Sequence, residues 1–194
     1  MLIDHVLVAF FWIVYGVTHS VFASLGVKGF FRKKLGNNFR HYRLAYTVTA
    51  FIGLILIVWF QASIQSKWIF VPTLPAKIGG GLITIAGLLV MLICIKKYFM
   101  SLSGLRSLVQ EETYSELIIS GIHRYVRHPL YLGTFLFIWG GFILFPTLSL
   151  FISNVVITIY TLIGIRFEER KLVNDFGDQY RTYQKTVPKL IPRF

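Results

Sequence analysis

The chain has 194 residues, of which 55% are hydrophobic and only 14% charged, with 20 Lys and Arg against 8 Asp and Glu for a formal net charge of +12. That balance excludes an ordinary soluble domain and describes an integral membrane protein. A basic cytoplasmic face against anionic lipid suffices to explain the charge, so no nucleic-acid partner is implied. A single cysteine, Cys94, leaves no internal disulfide to form.

Taken in order, the first apolar span is expected over His5 to Leu25. No basic stretch precedes it, so it reads as retained and not as a cleaved signal peptide. It carries Thr18-His19-Ser20, and an ionisable group inside a span makes His19 a functional candidate. A basic loop from Lys28 to Arg43 follows, then a second span from Leu44 to Ala62 and a short loop from Ser63 to Lys77 with Pro72 and Pro75. The third span, Ile78 to Ile95, opens with Gly79-Gly80-Gly81. These glycines lack the preceding strand and the spacing of a dinucleotide loop, which leaves close helix packing as their use.

Lys96 to His128 is the longest polar connection and holds Glu111, Glu112 and Glu116. A fourth span from Pro129 to Phe145 turns at Pro146-Thr147 into a fifth from Leu148 to Ile165. Each is ~26 Å long at ~1.5 Å per residue, just enough for a ~30 Å hydrocarbon core. The tail from Arg166 to Phe194 is polar, with Leu172, Phe176, Tyr180 and Tyr183 at helical spacing, so an amphipathic continuation of the fifth span is expected. The expected fold is all-α, a single membrane domain over 1–194 with about five transmembrane helices. Within it, 1–95 is a three-span part and 96–194 a catalytic part whose last two spans form a tight hairpin.

Of the 20 basic residues, 6 lie in the loop after the first span, 5 between Lys96 and Arg127, and 7 in the tail; only Lys67 and Lys77 lie elsewhere. Lys and Arg in short loops stay cytoplasmic, which puts the amino terminus outside and the carboxy terminus inside. The expectation is a multi-pass protein of a prokaryotic inner or plasma membrane with its polar site on the cytoplasmic side.

The most informative stretch is Gly121-Ile122-His123-Arg124-Tyr125-Val126-Arg127-His128-Pro129-Leu130-Tyr131-Leu132-Gly133. Pro129 has no N–H to leave unpaired, so a helix should begin there. Its unsatisfied N–H groups and positive dipole end, with Arg127 and His128 beside them, suit an anion. Tyr131 adds a hydroxyl, and Gly133 lets a ligand or another helix approach the backbone. The alternative is an interfacial anchor, with Arg and His on lipid phosphates and Tyr in the aromatic belt. A hairpin between the last two spans would bring Arg166 and Glu169, three apart on one helix face, against this start. Arg127, His128, Tyr131, Arg166 and Glu169 should then converge. His123 and His128 are five apart, a poor spacing for a metal, and no metal motif is present.

Arg-His-Pro-Leu-Tyr-Leu-Gly at 127 to 133, followed by Glu-Glu, Leu, Phe-Gly, Tyr, Tyr and Val-Pro between 168 and 188, resembles the isoprenylcysteine carboxyl methyltransferase and phospholipid methyltransferase superfamily over about the last 75 residues. Ser103-Gly104-Leu105-Arg106, Ile165 to Arg170, the ending Val187 to Arg193 and the early His19 to Ser24 resemble its methanethiol S-methyltransferase and NnrU-like branch. His123 stands where the family has Tyr, and the segment from Phe99 to Gly104 lacks the acidic and His residues of the family. The resemblance implies an enzyme using S-adenosyl-L-methionine, bound by His123, Arg127, His128, Tyr131, Gly133 and Glu169. Arg166 and Glu169 would be catalytic, Arg166 stabilising a thiolate and Glu169 orienting it or taking the proton. The implied partners are a small or lipophilic thiol acceptor and membrane lipid. Carboxyl or phospholipid N-methylation, an NADPH-dependent sterol-reductase-like chemistry, and a non-enzymatic scaffold on anionic lipid are the competing readings.

Overall fold

The computed structural model describes residues 2–102, 117 and 119–192. The expectations for Ser103 to Arg106 and for Glu111, Glu112 and Glu116 lie outside them. The helices are α1 (Leu2–Ala23), α2 (Leu25–Leu35), α3 (Tyr42–Ser63), α4 (Leu74–Leu102), α5 (Pro129–Leu144) and α6 (Leu148–Thr186), with 3-10 turns at Gly36–His41 and Gly121–Arg124. Among the described residues the only β pairing is an isolated bridge between Trp68 and Thr147. Four helices are long and apolar enough to cross a membrane, within α1, α3, α4 and α6. The expected fourth span, α5, has 16 residues. At ~1.5 Å per residue it reaches ~24 Å, about a turn short of the hydrocarbon thickness, so four helices and not five meet that length.

The basic loop expected after the first span is instead helical. Ser24 caps α2 by accepting from the Val27 N–H, Arg32, Lys33 and Lys34 sit in its last turn against the negative dipole end, and Gly36 stops it with φ 50°.

The chain divides into two compact units. The first comprises Met1–Ile69, Tyr98–Thr113 and Thr147–Ile157. In it α1 and α3 run antiparallel. Their contacts step from Phe11 on Phe60, edge-on at 5.2 Å, and Trp12 Nε1 donating to Gln61 Oε1 at 3.1 Å, to Tyr46 Oη 2.8 Å from His19 Nδ1. The first residues of α6 join them: Ser153 Oγ donates to Gln61 Oε1 at 2.6 Å, and the Ser149 N–H donates to Ser66 Oγ, which lies 3.0 Å from His5 Nε2.

The second unit comprises Phe70–Lys97, Tyr114–Pro146 and Thr158–Phe194, so α4 groups with the later helices. Between helices in lipid there is little hydrophobic drive, and close backbone approach has to carry the packing. Glycine supplies it. Gly87 of α4 lies on Gly133 of α5, and Gly80 and Thr84 on Gly140; a Cβ at Gly140 would come within 2.6 Å of the Thr84 nitrogen. On its other side α5 meets α6, where Trp139 Nε1 donates to Thr158 Oγ1 at 3.1 Å. Three residues link α5 to α6, and pairs that step outward from 139 and 158 to 128 and 169 make the two an antiparallel hairpin.

Gly140→Val should therefore cost roughly 1–3 kcal/mol of stability by overpacking. Gly141→Val, one residue on in open space, should be nearly neutral. Thermal melting of the two purified variants in the same detergent checks this; equal melting temperatures would place the α4–α5 seam elsewhere.

Candidate active site

Helix α5 begins at Pro129, with His128 as its amino-terminal cap residue at φ −122° and ψ 66°. Upstream, Gly121 at φ 66° opens the 3-10 turn that leads into this start. Opposite it, α6 runs on past its apolar part into the polar tail and breaks at Gly177, whose φ of 54° and ψ of −128° leave the helical region. The arm beyond the break carries Tyr180 and Tyr183 inward, and both are buried. After α6 ends, the chain lies along the start of α5. The Arg127 N–H donates to the Pro188 carbonyl at 2.9 Å and the His128 N–H to the Lys189 carbonyl at 3.2 Å.

The centre of the cluster is Glu169. Its Oε1 accepts from Arg127 Nε at 2.8 Å and Nη2 at 2.6 Å, while Lys189 Nζ lies 3.2 Å from Oε2 and His128 Nε2 3.3 Å from Oε1. The remaining Arg127 nitrogen, Nη1, donates to the Gln184 carbonyl at 3.0 Å and also to that of Val187. The Arg127 and Glu169 side chains are only 8% and 11% exposed, so each charge depends on the other to stay out of water.

The titration behaviour follows from these contacts. Burial by itself raises the Glu169 carboxyl, but hydrogen bonds and charge from Arg127 and Lys189 outweigh it and hold the group below the ordinary carboxylate value. Burial is also the largest influence on His128, and it keeps the imidazole below its usual value although Glu168 and Glu169 pull the other way. Both shifts have the same sign for stability. Above the ordinary histidine value of 6.5 His128 is neutral whether folded or not. Below it the unfolded chain takes up the proton more readily and stability falls. The contribution of Glu169 is present above 4.5 and lost as pH falls through its lower folded value.

Each residue singled out in the sequence can now be placed. Arg127, His128 and Glu169 meet directly. The Tyr131 ring lies 5.7 Å from that of His128, and Glu168 Oε2 is 3.7 Å from His128 Nδ1. His123 sits one shell out, its Nδ1 3.1 Å from the Arg127 carbonyl. Gly133 is buried against Gly87 and Met91 of α4, so the approach it permits here is that of a helix. Arg166 and Glu169 are not a pair, because the carboxylate turns to Arg127 and Lys189. Arg166 is exposed and, with Glu169, Arg170, Val173, Asn174 and Gln184, lines an open recess of about 440 Å³.

Three participants are read from the sequence only as amphipathic packing or as part of the family pattern, with no role in the site. Lys189 is the second cation on Glu169; the signal was its place beside Val187-Pro188. Tyr183 donates its hydroxyl to the His123 carbonyl at 2.6 Å. The Tyr180 hydroxyl is buried with no hydrogen-bond partner among the described residues.

Two predictions follow from this cluster. Arg127→Ala should cost about 3–5 kcal/mol by stranding a buried carboxylate, and the double change Arg127→Ala with Glu169→Ala should cost less than the sum of the single ones. Additive losses in a denaturation cycle would show that the pair is not coupled. In a pH series of melting curves, the wild type should lose stability between about pH 7 and pH 5, and His128→Asn should flatten that step; an unchanged slope would assign it to another group.

The sequence profile of the phospholipid methyltransferase family matches residues 76–179, a segment that runs from α4 through the hairpin to the residue before Tyr180. The methanethiol S-methyltransferase of Crocosphaera subtropica is 30% identical over 92% of this chain and 71% of its own length. That of Mycobacterium tuberculosis is 29% identical over 92% of this chain and 74% of its own. The protein-S-isoprenylcysteine O-methyltransferase of Rattus norvegicus is 29% identical over 78% of this chain and 52% of its own length. No solved structure matches the chain.

Proposed function

Since the chain belongs to the phospholipid methyltransferase family and is a membrane methyltransferase, we propose that it takes its methyl group from S-adenosyl-L-methionine and passes it to a small or lipophilic thiol. The observation that carries this reading is the Glu169 cluster beside the recess. The recess falls within the ~300–1,000 Å³ range of small-molecule sites. Its donor set also fits. Arg166 and Arg170 suit a carboxylate, and Asn174 and Gln184 suit ribose hydroxyls and the adenine edge. When bound, S-adenosylmethionine supplies a methyl carbon on a sulfonium, open to in-line attack.

What the chain itself must do is bind, orient and handle one proton. A thiol has to become a thiolate, against an ordinary pKa of ~8.5. Arg166, exposed in the recess, is our candidate to stabilise that anion. Neutral His128, with Glu168 behind it, can accept the proton. Glu169 orients, holding Arg127 and Lys189 in place. Arg127, tied to the Gln184 and Val187 carbonyls, then keeps the carboxy-terminal segment over the start of α5. Thiol transfer is favoured over carboxyl transfer because the Crocosphaera subtropica and Mycobacterium tuberculosis relatives align over more of this chain than the Rattus norvegicus one. The site is proposed to face the cytoplasm, as the distribution of Lys and Arg indicates.

Isothermal titration with S-adenosylmethionine, S-adenosylhomocysteine and NADPH, followed by transfer of labelled methyl to a panel of thiols and a prenylated cysteine, tests the reading. Binding of NADPH alone would overturn it. Arg166→Lys is expected to lower kcat at least tenfold with little change in cofactor affinity, since an ammonium does not reproduce the planar guanidinium fork. Unchanged kcat would remove Arg166 from the chemistry.

A further inference from the structure

The stretch between the first two long helices takes no part in the cluster around Glu169. Tyr42 Oη donates to the Phe22 carbonyl at 2.8 Å, so the carboxy-terminal end of α1 and the amino-terminal end of α3 lie side by side. Both helices are long and apolar enough to cross a membrane, and α2 with its 3-10 turn joins them at that shared end. This puts α2 at a membrane surface.

Its cations have no counterion in the described chain. Arg32, Lys33 and Lys34 are exposed and make no ion pair among the described residues. The one described acidic residue of the first unit, Asp4, is at the other end of α1, roughly 28 Å from Ala23 at ~1.5 Å per residue. The end of α2 offers about half a negative charge, which does not balance three cations. Two of the three are set in place by rings. The Arg32 guanidinium lies 5.0 Å from the centre of the Phe39 ring and Lys34 Nζ 6.0 Å from that of Phe30, which leaves their N–H donors for an acceptor from outside. Beside Arg32 and Lys33 the helix surface is open, because a Cβ at Gly26 or Gly29 would meet nothing within 4 Å.

The apolar half of the helix identifies the acceptor. Val27, Phe30, Phe31 and Leu35 recur at helical spacing as one stripe, and Phe30 is 61% exposed. A polyanion in solution would neutralise the cations and leave Phe30 in water. A bilayer surface takes both, with the charges among headgroups and the rings at the acyl boundary. Zwitterionic headgroups carry a cation of their own, so charge complementarity favours an anionic lipid.

We propose that α2 is an interfacial helix whose Arg32, Lys33 and Lys34 hold the phosphate of an anionic phospholipid headgroup, with Phe30 seated in the acyl boundary. It stands whether or not the methyl-transfer reading does.

Native mass spectrometry of the full chain, released from detergent holding equal amounts of phosphatidylglycerol and phosphatidylcholine, reads the preference directly. The wild type should retain phosphatidylglycerol over phosphatidylcholine. The triple variant Arg32→Gln, Lys33→Gln, Lys34→Gln should lose that preference by about fivefold for each cation removed. A second triple variant of the same net charge, Lys171→Gln, Arg181→Gln, Lys185→Gln, should keep it. Equal losses in the two variants would make the preference one of net charge and overturn the proposal, as would a wild type without preference. Displacement of the lipid by inorganic phosphate would give the cations to a free anion instead. Labelling leaves the three charges intact and asks the same question should the first variant not fold. A bimane on Phe30→Cys, in a Cys94→Ala background and in phosphatidylglycerol vesicles, should be quenched by a nitroxide-bearing lipid and spared by iodide. The reverse result would put α2 in water and sink the idea.

Discussion

The polar cluster at the start of α5 depends on one carboxylate kept out of water. Glu169 is buried at the point where α6 leaves its apolar stretch, and it stays ionised because Arg127 covers one oxygen and Lys189 the other. Neither cation comes from its own helix. Arg127 belongs to the segment before α5 and Lys189 to the chain after α6, so the ion pairs fasten three separate stretches to one point. Breaking a buried pair costs more than forming it gains. The arrangement thus holds by the penalty of coming apart, which is a means of fixing geometry more than of adding stability.

The local half of this was legible in the sequence. Pro129 does start the helix, and a three-residue link leaves the last two long apolar segments no choice but a hairpin, which brings Arg127 and His128 to Glu169. Arg166 and Glu169 share a face as their spacing required, but spacing says only which residues can meet. The winning partners were 42 and 20 residues from Glu169 in sequence, and no periodicity encodes that choice. Gly133 shows the same limit: its lack of a side chain was evident, while whether a ligand or a helix used the space was not. The α2 helix was missed because its basic residues read as a loop, when three of them sit where a helix end stabilises positive charge.

The first unit solves a different problem with similar means. Its helices carry polar groups at intervals, and those groups find each other: Trp12 and Ser153 share Gln61, Ser66 takes both His5 and the Ser149 N–H, and Tyr46 reaches His19. Such bonds average only ~0.6 kcal/mol each in a bilayer. Their value lies in register, since sliding α1 against α3 by one turn would leave several of them unmade in hydrocarbon. His19, the ionisable group that stood out in the first span, is one of these register marks.

Gly177 carries a burden out of proportion to its size. Its φ of 54° lies where a side chain is strained. Were that residue helical, the nine residues from Asp178 to Thr186 would run on along the axis of α6, reaching ~13 Å beyond the break. Tyr180, Tyr183, Gln184 and Lys189 would go with them. The composition of the tail and, to within one residue, its helix content would be unchanged, yet Glu169 would lose a cation and Arg127 two carbonyls. One backbone torsion therefore separates an extended stalk from a folded-back wall, and an assay of helicity alone would not tell the two apart.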